Sequence, residues 1–362
     1  MFGATGFTGR LVAEQLVASG ERPVLAGRSI ARLEELAGRL GDLEVHEADV
    51  ARPGTVFEAL GEGDVLISTV GPFVRYGVPA VRAAIASGGV YLDSTGEAAF
   101  IRRVFDEFGP PAGRAGATLL TAMGYDFVPG ALAGALALED AGEAATRVDV
   151  GYYLLGGSPG MFSAGTRASA VGVTLDPSFA WRGGQLRTTR PADRVRSFSI
   201  GSPPTRNVPA IAVGGSEHFG LPAAYPRLRE VGVYLGWFGP LARPLQAVSL
   251  AASLLTRLPG MRSLLRTGGE RLMTLTGGPE PGTPSGATSW VTAEALDDGG
   301  RVLASATVTG AGPYAFTGGL LAWAARRAAR QGVNGTGALG PVEAFGLDAL
   351  EEGCREAGLE RA

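Results

Sequence analysis

Seven residues near the start of the chain, Gly3-Ala4-Thr5-Gly6-Phe7-Thr8-Gly9, have the types and spacing to hold a phosphate group. The Gly-x-x-Gly-x-x-Gly pattern runs directly into residues 10–19, RLVAEQLVAS, where apolar positions 11, 12, 16 and 17 form a helical stripe closed by Gly20. The first glycine permits a tight turn, the second lets the backbone approach a pyrophosphate, and the third lets the helix pack closely. The N–H groups and positive dipole end of the helix then face the anion. The segment predicts a dinucleotide site. The next apolar run, 23–26 (PVLA), is followed by Gly27-Arg28-Ser29. A site for NAD places an acid about 20 residues beyond the loop, where it binds the ribose hydroxyls. Arg28 instead attracts a 2'-phosphate and can fork it, so Arg28 and Ser29 predict NADP(H). Asp49 and Val50 end the third strand, where an adenine edge can rest. Thr69, Val70, Gly71 and Pro72 end the fourth, on the side expected for the nicotinamide arm.

The candidate proton donors stand where strands end: Tyr76, Asp93, Glu97, Tyr125 and Asp126. Asp93 and Glu97, in a Ser-Thr-Gly-Glu turn, read as structural groups whose carboxylates satisfy backbone N–H groups at a helix start. Asp126 is either such a cap or a group that touches substrate. Tyr76 either closes over the nicotinamide or packs. His218 reads as a loop residue. Tyr76 and Asp126 are the catalytic candidates, and since reduction by a nicotinamide can also proceed by positioning alone, with the proton taken from water, a missing obvious acid does not disqualify the chain.

Several chemistries are excluded by composition. The chain contains no lysine, so it can form no Schiff base, no Ser-Lys pair, no Walker loop and no Tyr-x-x-x-Lys centre. Its two histidines, His46 and His218, cannot make a three-histidine zinc site. A single cysteine, Cys354, rules out an intrachain disulfide or cysteine-based metal cluster, so no metal is expected and a reducing, cytoplasmic setting fits. With 32 basic against 35 acidic residues and a net charge of -3, the chain lacks the basic excess of a nucleic-acid binder.

The elements that must position these residues alternate over the first third. Helical patterns at 10–19, 31–40 and 78–87 separate short apolar runs at 23–26, 43–50, 64–70, 90–95 and 117–123. Strands alternating with helices of this length predict an α/β fold, a Rossmann-type doubly wound parallel sheet, over residues 1–130. Its first, central strand is the anomaly: such strands run to about five residues, and only Met1 and Phe2 precede the loop. An upstream segment of apolar, β-branched residues is the expectation. Beyond residue 130 the rhythm changes. Segment 147–155 reads as a long strand, and 287–296 and 301–310 form a hairpin around Asp297-Asp298-Gly299-Gly300. A second, α+β domain over 131–312, built on an antiparallel or mixed sheet, follows, with 156–220 as long loops and 313–362 packing back on the first domain. Residues 231–258 read as an apolar helical region interrupted by Arg243. The interruption leaves neither half with the ~18 residues a spanning helix needs. Apolar positions 245, 248, 252, 255 and 258 share one face, and Arg262, Arg266 and Arg271 follow. That region is either a helix hairpin packed on its own domain, a homodimer contact, or a flap that touches a membrane surface or a lipid substrate.

The series GATGFTG, LAGRS, STVGPFVRYG, YLDSTGE and MGYDFVPG, in this order, with GAGPYAFTGGLLA at 310–322 and GALGPVEAF at 337–345, resembles the saccharopine dehydrogenase-like NADP-binding reductases, which include bacterial trans-acting enoyl reductases. The resemblance covers most of the chain. It implies a nucleotide domain, an α+β domain and a cleft between them, with Gly3 to Thr8, Arg28, Ser29, Val70, Gly71 and Pro72 as cofactor contacts. It also implies an NADPH-dependent oxidoreductase; the single cysteine keeps it cytoplasmic, and the apolar 231–258 region allows a peripheral place at the membrane. The apolar 231–258 region favours reduction of an activated C=C in a lipid or polyketide-type acyl substrate, with membrane or synthase contact through 231–271. Two alternatives stand beside this reading: a saccharopine-type C–N oxidoreductase, whose carboxylate-rich substrate would need anchors such as Arg167, Arg182, Arg187, Arg190, Arg194 and Arg196, and a non-catalytic NADP-binding sensor.

Overall fold

The computed structural model describes residues 1–156, 177–201, 206–255 and 287–362. The chain divides into two compact units. The first comprises Met1–Thr95, Phe100–Val128 and Pro313–Leu359; the second comprises Gly96–Ala99, Pro129–Gly312 and Glu360–Ala362.

In the first unit, strands β1 (Leu25–Gly27) and β2 (Val45–Glu47) pair in parallel. Strands β3 (Val65–Ser68), β4 (Val90–Asp93) and β5 (Thr118–Leu120) form a second parallel run, extended by the short strand Gly337–Ala338. Phe2 joins the two runs, bridging in parallel to Ala26 on one side and Ser68 on the other. Its N–H donates to the Ile67 carbonyl at 2.8 Å, and its carbonyl accepts from the Thr69 N–H at 3.0 Å. The lateral order is therefore β2-β1-Phe2-β3-β4-β5, with the chain start at the centre, as in a doubly wound sheet.

Both faces of this sheet are covered, and successive residues show it. Leu25 packs with Leu33, Leu36 and Ala37 of helix α2 (Ile30–Arg39) on one side. Ala26 packs with Phe2, Leu66, Val81, Tyr91 and Phe100 on the other. Burial on both faces is why these strands are short apolar runs rather than alternating ones, and each buried Leu or Val contributes roughly 1.5–3 kcal/mol. The long helix Pro313–Gln331 lies against helix α1 (Phe7–Ala18): a Cβ on Gly318 would sit 3.1 Å from Leu11 Cβ. The same unit buries Cys354, whose thiol is pushed far above its ordinary pKa by desolvation.

The second unit is built on a mixed sheet. Strands β6 (Arg147–Leu155), β7 (Ser178–Arg182), β8 (Gln185–Thr189), β9 (Val195–Ile200), β10 (Arg206–Ala212), β11 (Glu230–Leu235), β12 (Thr288–Leu296) and β13 (Val302–Gly310) pair antiparallel except for β6 with β11. The expected β12–β13 hairpin forms, its turn held by the Arg301 N–H on Asp297 Oδ1 at 2.9 Å and by positive φ at Gly300.

Two expectations are corrected. Residues 156–220 are not simply long loops, because 178–212 carries β7 to β10. In β9 the buried Phe198 and Ile200 alternate with exposed Ser197 and Ser199, while the polar, mostly exposed β8 has the composition of a loop. The remainder of that stretch, 157–176 and 202–205, lies outside the described residues. Nor is 231–258 helical throughout. Residues 231–235 belong to β11, an interior strand paired with β6, β7 and β10, and only Ala242–Leu255 is α-helix. A short apolar run gives the same signal in a buried strand and a buried helix; here the β-branched Val231 and Val233 and two-sided pairing make it a strand. Residues 256–271, with Arg257, Arg262, Arg266 and Arg271, lie outside the described residues. Among the described residues no helix is long and apolar enough to cross a membrane.

Candidate nucleotide-binding site

The glycine loop is a compact turn between Phe2 and α1. Gly3 has φ +87°, a conformation glycine adopts without strain. A Cβ on Gly3 would lie 2.8 Å from Thr69 Oγ1 and 2.9 Å from Val70 Cγ2, and a Cβ on Gly9 would lie 2.2 Å from the Gly3 carbonyl oxygen. These two glycines are therefore required by packing, whereas Gly6 is exposed and caps α1 in an extended conformation. The Gly6 N–H donates to the Gly3 carbonyl at 3.0 Å, and the first bond of the helical ladder runs from the Arg10 N–H to the Gly6 carbonyl at 3.0 Å. Thr8 and Gly9 thus present N–H groups with no backbone acceptor among the described residues, as the first turn of any helix must. Ala4 is buried in the core, Thr5 is half-buried, and Phe7 meets the Tyr314 ring edge-on at 5.0 Å between centroids.

Two strand ends meet at this turn. Thr69 locks it, donating its Oγ1 hydroxyl to the Gly3 carbonyl at 3.2 Å. Val70 packs on the core beneath, and the Gly71–Pro72 peptide, exposed and cis, leads into the short helix Phe73–Tyr76. At the end of β1 the Gly3 and Ala4 N–H groups both reach the Ala26 carbonyl. The next side chains are Arg28, exposed and engaged by no hydrogen bond or ion pair among the described residues, and Ser29, the residue that caps α2. Asp49 lies two residues beyond β2. Its Oδ1 accepts the Ala51 N–H at 2.9 Å and its own N–H donates to Thr55 Oγ1, so it shapes the turn, while Val50 packs on the core. Tyr76 is half-buried, with the Arg75 guanidinium 5.0 Å from its ring centroid.

The proton-donor candidates separate by environment. Asp93, at the end of β4, is fully buried. Its Oδ1 accepts the Thr95 and Ala122 N–H groups, both at 2.9 Å, and its Oδ2 accepts the Thr121 hydroxyl at 2.8 Å. It therefore does the structural work expected, although on the 121–127 loop as well as on its own turn. Ala122 has φ +59°, costly for a non-glycine residue, and the Asp93 carboxylate holds it there. Burial pushes Asp93 up to about 6 against the pull of these bonds. Asp126 is different. Its Oδ1 is buried without a hydrogen-bond partner, and burial alone pushes the carboxyl up to about 6. As a cap it would be an acceptor for a first-turn N–H; the Gly130 N–H goes instead to Tyr152 Oη at 2.8 Å. The helix-cap alternative for Asp126 is thereby corrected. The Asp126–Phe127 peptide is cis.

Within the second unit, most of the arginines that could anchor a polycarboxylate are engaged internally. Arg182 pairs with Asp193 at 2.7 Å, Arg194 with Glu230 at 3.3 Å, and Arg196 with both Asp149 and Glu294. Arg190 reaches the carbonyls of Pro191, Ala192 and Gln246. Arg187 is exposed, and Arg167 lies outside the described residues. His218 is no loop residue: it sits in the helix Glu217–Ala224, 1% exposed, with Nδ1 3.0 Å from the Gly215 carbonyl, and burial pushes it down to about 4, so it is neutral at pH 7. One pair escaped the sequence reading altogether. Tyr152 Oη donates to the buried Glu217 Oε1 at 2.7 Å. Neither residue carries a local signal, because they are 65 positions apart.

A family model described as NAD(P)H-binding matches residues 3–94. A protein named trans-acting enoyl reductase from Mycobacterium leprae is 41% identical over 135 residues, 36% of this chain and 32% of that protein. Its namesake in Mycobacterium tuberculosis strain H37Rv is 40% identical over 135 residues, with the same coverage of 36% and 32%. The matched stretch thus spans about a third of the length of these curated relatives. Among solved structures, an apo saccharopine dehydrogenase (L-Glu forming) from Saccharomyces cerevisiae aligns over 100% of this chain and 98% of its own, with a TM-score of 0.64 at 16% identity, a likeness of fold. The chain carries an NAD(P)H-binding domain, has the fold of saccharopine dehydrogenase, and is related in sequence to the trans-acting enoyl reductases.

Proposed function

We propose that the chain is an NADPH-dependent oxidoreductase that reduces an activated C=C in a lipid or polyketide-type acyl substrate carried by a synthase. The observation that carries the cofactor half is the coincidence of the tight glycine turn, with its unpaired helix N–H groups, and the unengaged Arg28 at the end of β1. The residues fit the group. Gly3 and Gly9 leave no room for a side chain, the exposed Gly6 lets a pyrophosphate approach the backbone, and the N–H groups of Thr8 and Gly9 suit its charge. Arg28 recognises the 2'-phosphate in a fork that an acid at this position would oppose, and Ser29 supplies a hydroxyl beside it. Thr69, Val70, Gly71 and Pro72 line the nicotinamide side, and Asp49 and Val50 the adenine side. When bound, NADPH supplies a hydride. Tyr76 and Asp126 are the candidates for holding the proton; the Asp126 carboxyl, raised to about 6, keeps a protonated fraction near neutral pH that an ordinary aspartate lacks.

The C=C assignment draws on the relatives' name, trans-acting enoyl reductase. The saccharopine-type alternative is weakened because Arg182, Arg194 and Arg196 already neutralise the protein's own carboxylates. The test is transfer of deuterium from stereospecifically C4-labelled NADPH to an α,β-unsaturated acyl thioester, read by mass spectrometry. Label in the saturated product is the expected outcome. Label appearing only with an imine-forming pair of amine and keto acid would move the assignment to C–N chemistry. Tight NADPH binding with no transfer to either class would identify a sensor.

A further inference from the structure

The helix Ala242–Leu255 is turned the opposite way from an ordinary surface helix. Such a helix buries its apolar stripe and shows its polar face to water. Here Gln246 and Ser249 face the protein. Ser249 is buried and its hydroxyl bonds to the Pro191 carbonyl, Gln246 Nε2 donates to the Asp193 carbonyl at 3.0 Å, and Arg190 reaches the Gln246 carbonyl at 3.3 Å. The residues left outside are Leu241, 61% exposed, just before the helix, then Val248 at 64% and Leu250 at 48%, with Pro244, Ala247 and Ala251 also exposed. Leu241, Pro244, Val248 and Ala251 follow the three-to-four spacing that puts them on one side of a helix. Hydrogen bonds of Gln246 and Ser249 thus hold the inward face beside the buried Ala242, and an apolar face is presented outward.

The charge around that face identifies what covers it. Residues 231–255, which lead into and form the helix, contain no Asp or Glu and one arginine, Arg243. Arg243 itself is exposed beside Leu241 and takes part in no hydrogen bond or ion pair among the described residues. A solvent-facing apolar patch whose own stretch carries an arginine and no carboxylate is complementary to an anionic lipid surface, where the side chains enter the acyl boundary and the guanidinium stays among the headgroups. We infer that the protein docks on anionic membranes through Leu241, Arg243, Val248 and Leu250, without spanning them. The inference stands independently of the reductase assignment, and vesicle binding and NADPH binding are separate readouts.

The experiment is flotation of the full chain with vesicles of phosphatidylcholine containing 30% phosphatidylglycerol, against phosphatidylcholine alone, at low and high salt. Binding to the anionic vesicles, weakened by salt, is expected. The triple variant Leu241→Gln, Val248→Gln, Leu250→Gln should bind at least tenfold more weakly with its thermal midpoint and NADPH affinity unchanged, since these side chains have no interior to vacate. Arg243→Gln should cost about fivefold, the loss expected for one basic residue near an anionic surface. Equal binding to both vesicle types would overturn the electrostatic assignment. No binding to either, or a chain that sediments as a dimer and becomes monomeric in the triple variant, would overturn the docking surface and assign the face to a second copy.

Discussion

Two sites, one in each unit, handle charge in opposite ways. In the second, Asp149 is 1% exposed, and Arg147 and Arg196 both reach it, Arg147 at 2.6 Å; Arg196 also meets Glu294. The charges around this buried carboxylate answer one another. In the first unit Arg28 projects into water with no carboxylate engaging it, and Asp126 buries an oxygen with no donor. A buried charge left unanswered destabilises a fold, and an exposed arginine held to no neighbour gives little to it. Arginine and aspartate occur in both regions, so residue type alone does not separate a structural network from a binding site; whether the charge is already satisfied does.

The largest expected effect comes from breaking the satisfied side. Asp149→Ala leaves Arg147 and Arg196 facing each other without their carboxylate, and should cost about 3–5 kcal/mol of stability. Urea unfolding measures this, and the NADPH affinity of the folded fraction should be unchanged. A loss below about 1 kcal/mol would show that the network is not holding the sheet. The unsatisfied side should respond in the other way. Arg28→Ala should leave the unfolding midpoint within its error and weaken NADPH by roughly thirtyfold, about 2 kcal/mol, with NADH little changed. Isothermal titration with both nucleotides decides it, and equal losses for the two would break the assignment of Arg28 to the 2'-phosphate.

The smallest effect sharpens the comparison between the two aspartates. The folded-state pKa of Asp126 is raised from the ordinary 3.8 to about 6, so the folded chain holds this proton more tightly than the unfolded chain does. Its contribution is fully present below about pH 4 and is lost as pH rises through about 6. Asp126→Asn should therefore raise stability at pH 8 by about 1–2 kcal/mol and have little effect at pH 4, read from thermal midpoints across that range. A gain of equal size at both pH values would mean that packing, not ionisation, distinguishes Asp126.

Much of the nucleotide unit was legible because its signals are local. The glycine spacing, the helix that follows and the arginine after the next strand lie within 28 residues, and each has a short-range physical reason. The hairpin around Asp297 was legible for the same reason, and its strands β12 and β13 fall within a residue of their expected bounds. The polar strands β8 and β9 were not, because their residues take meaning only from which neighbour covers them. The same holds for VGVYL at 231–235, where a strand and a helix present the same apolar run until pairing partners on both sides select one. In the sequence Asp126 stands between cap and substrate contact, because the choice depends on where the Gly130 N–H goes, and it goes to Tyr152, 22 positions away.

The sequence by itself determined the chemistry open to the chain. Without lysine, with two histidines and one cysteine, a Schiff base, a Ser-Lys pair, a three-histidine zinc site and a cysteine cluster are closed to it, while a glycine turn that opens a helix remains a phosphate cradle. Only the tertiary structure decided which charges are free to meet a ligand and which side of the Ala242–Leu255 helix faces out. Composition and periodicity report what a side chain is and how often it recurs. Hydrogen bonds from Ser249, Gln246 and Arg190 across more than fifty positions turned that helix, and long-range pairing of this kind lies beyond any local pattern.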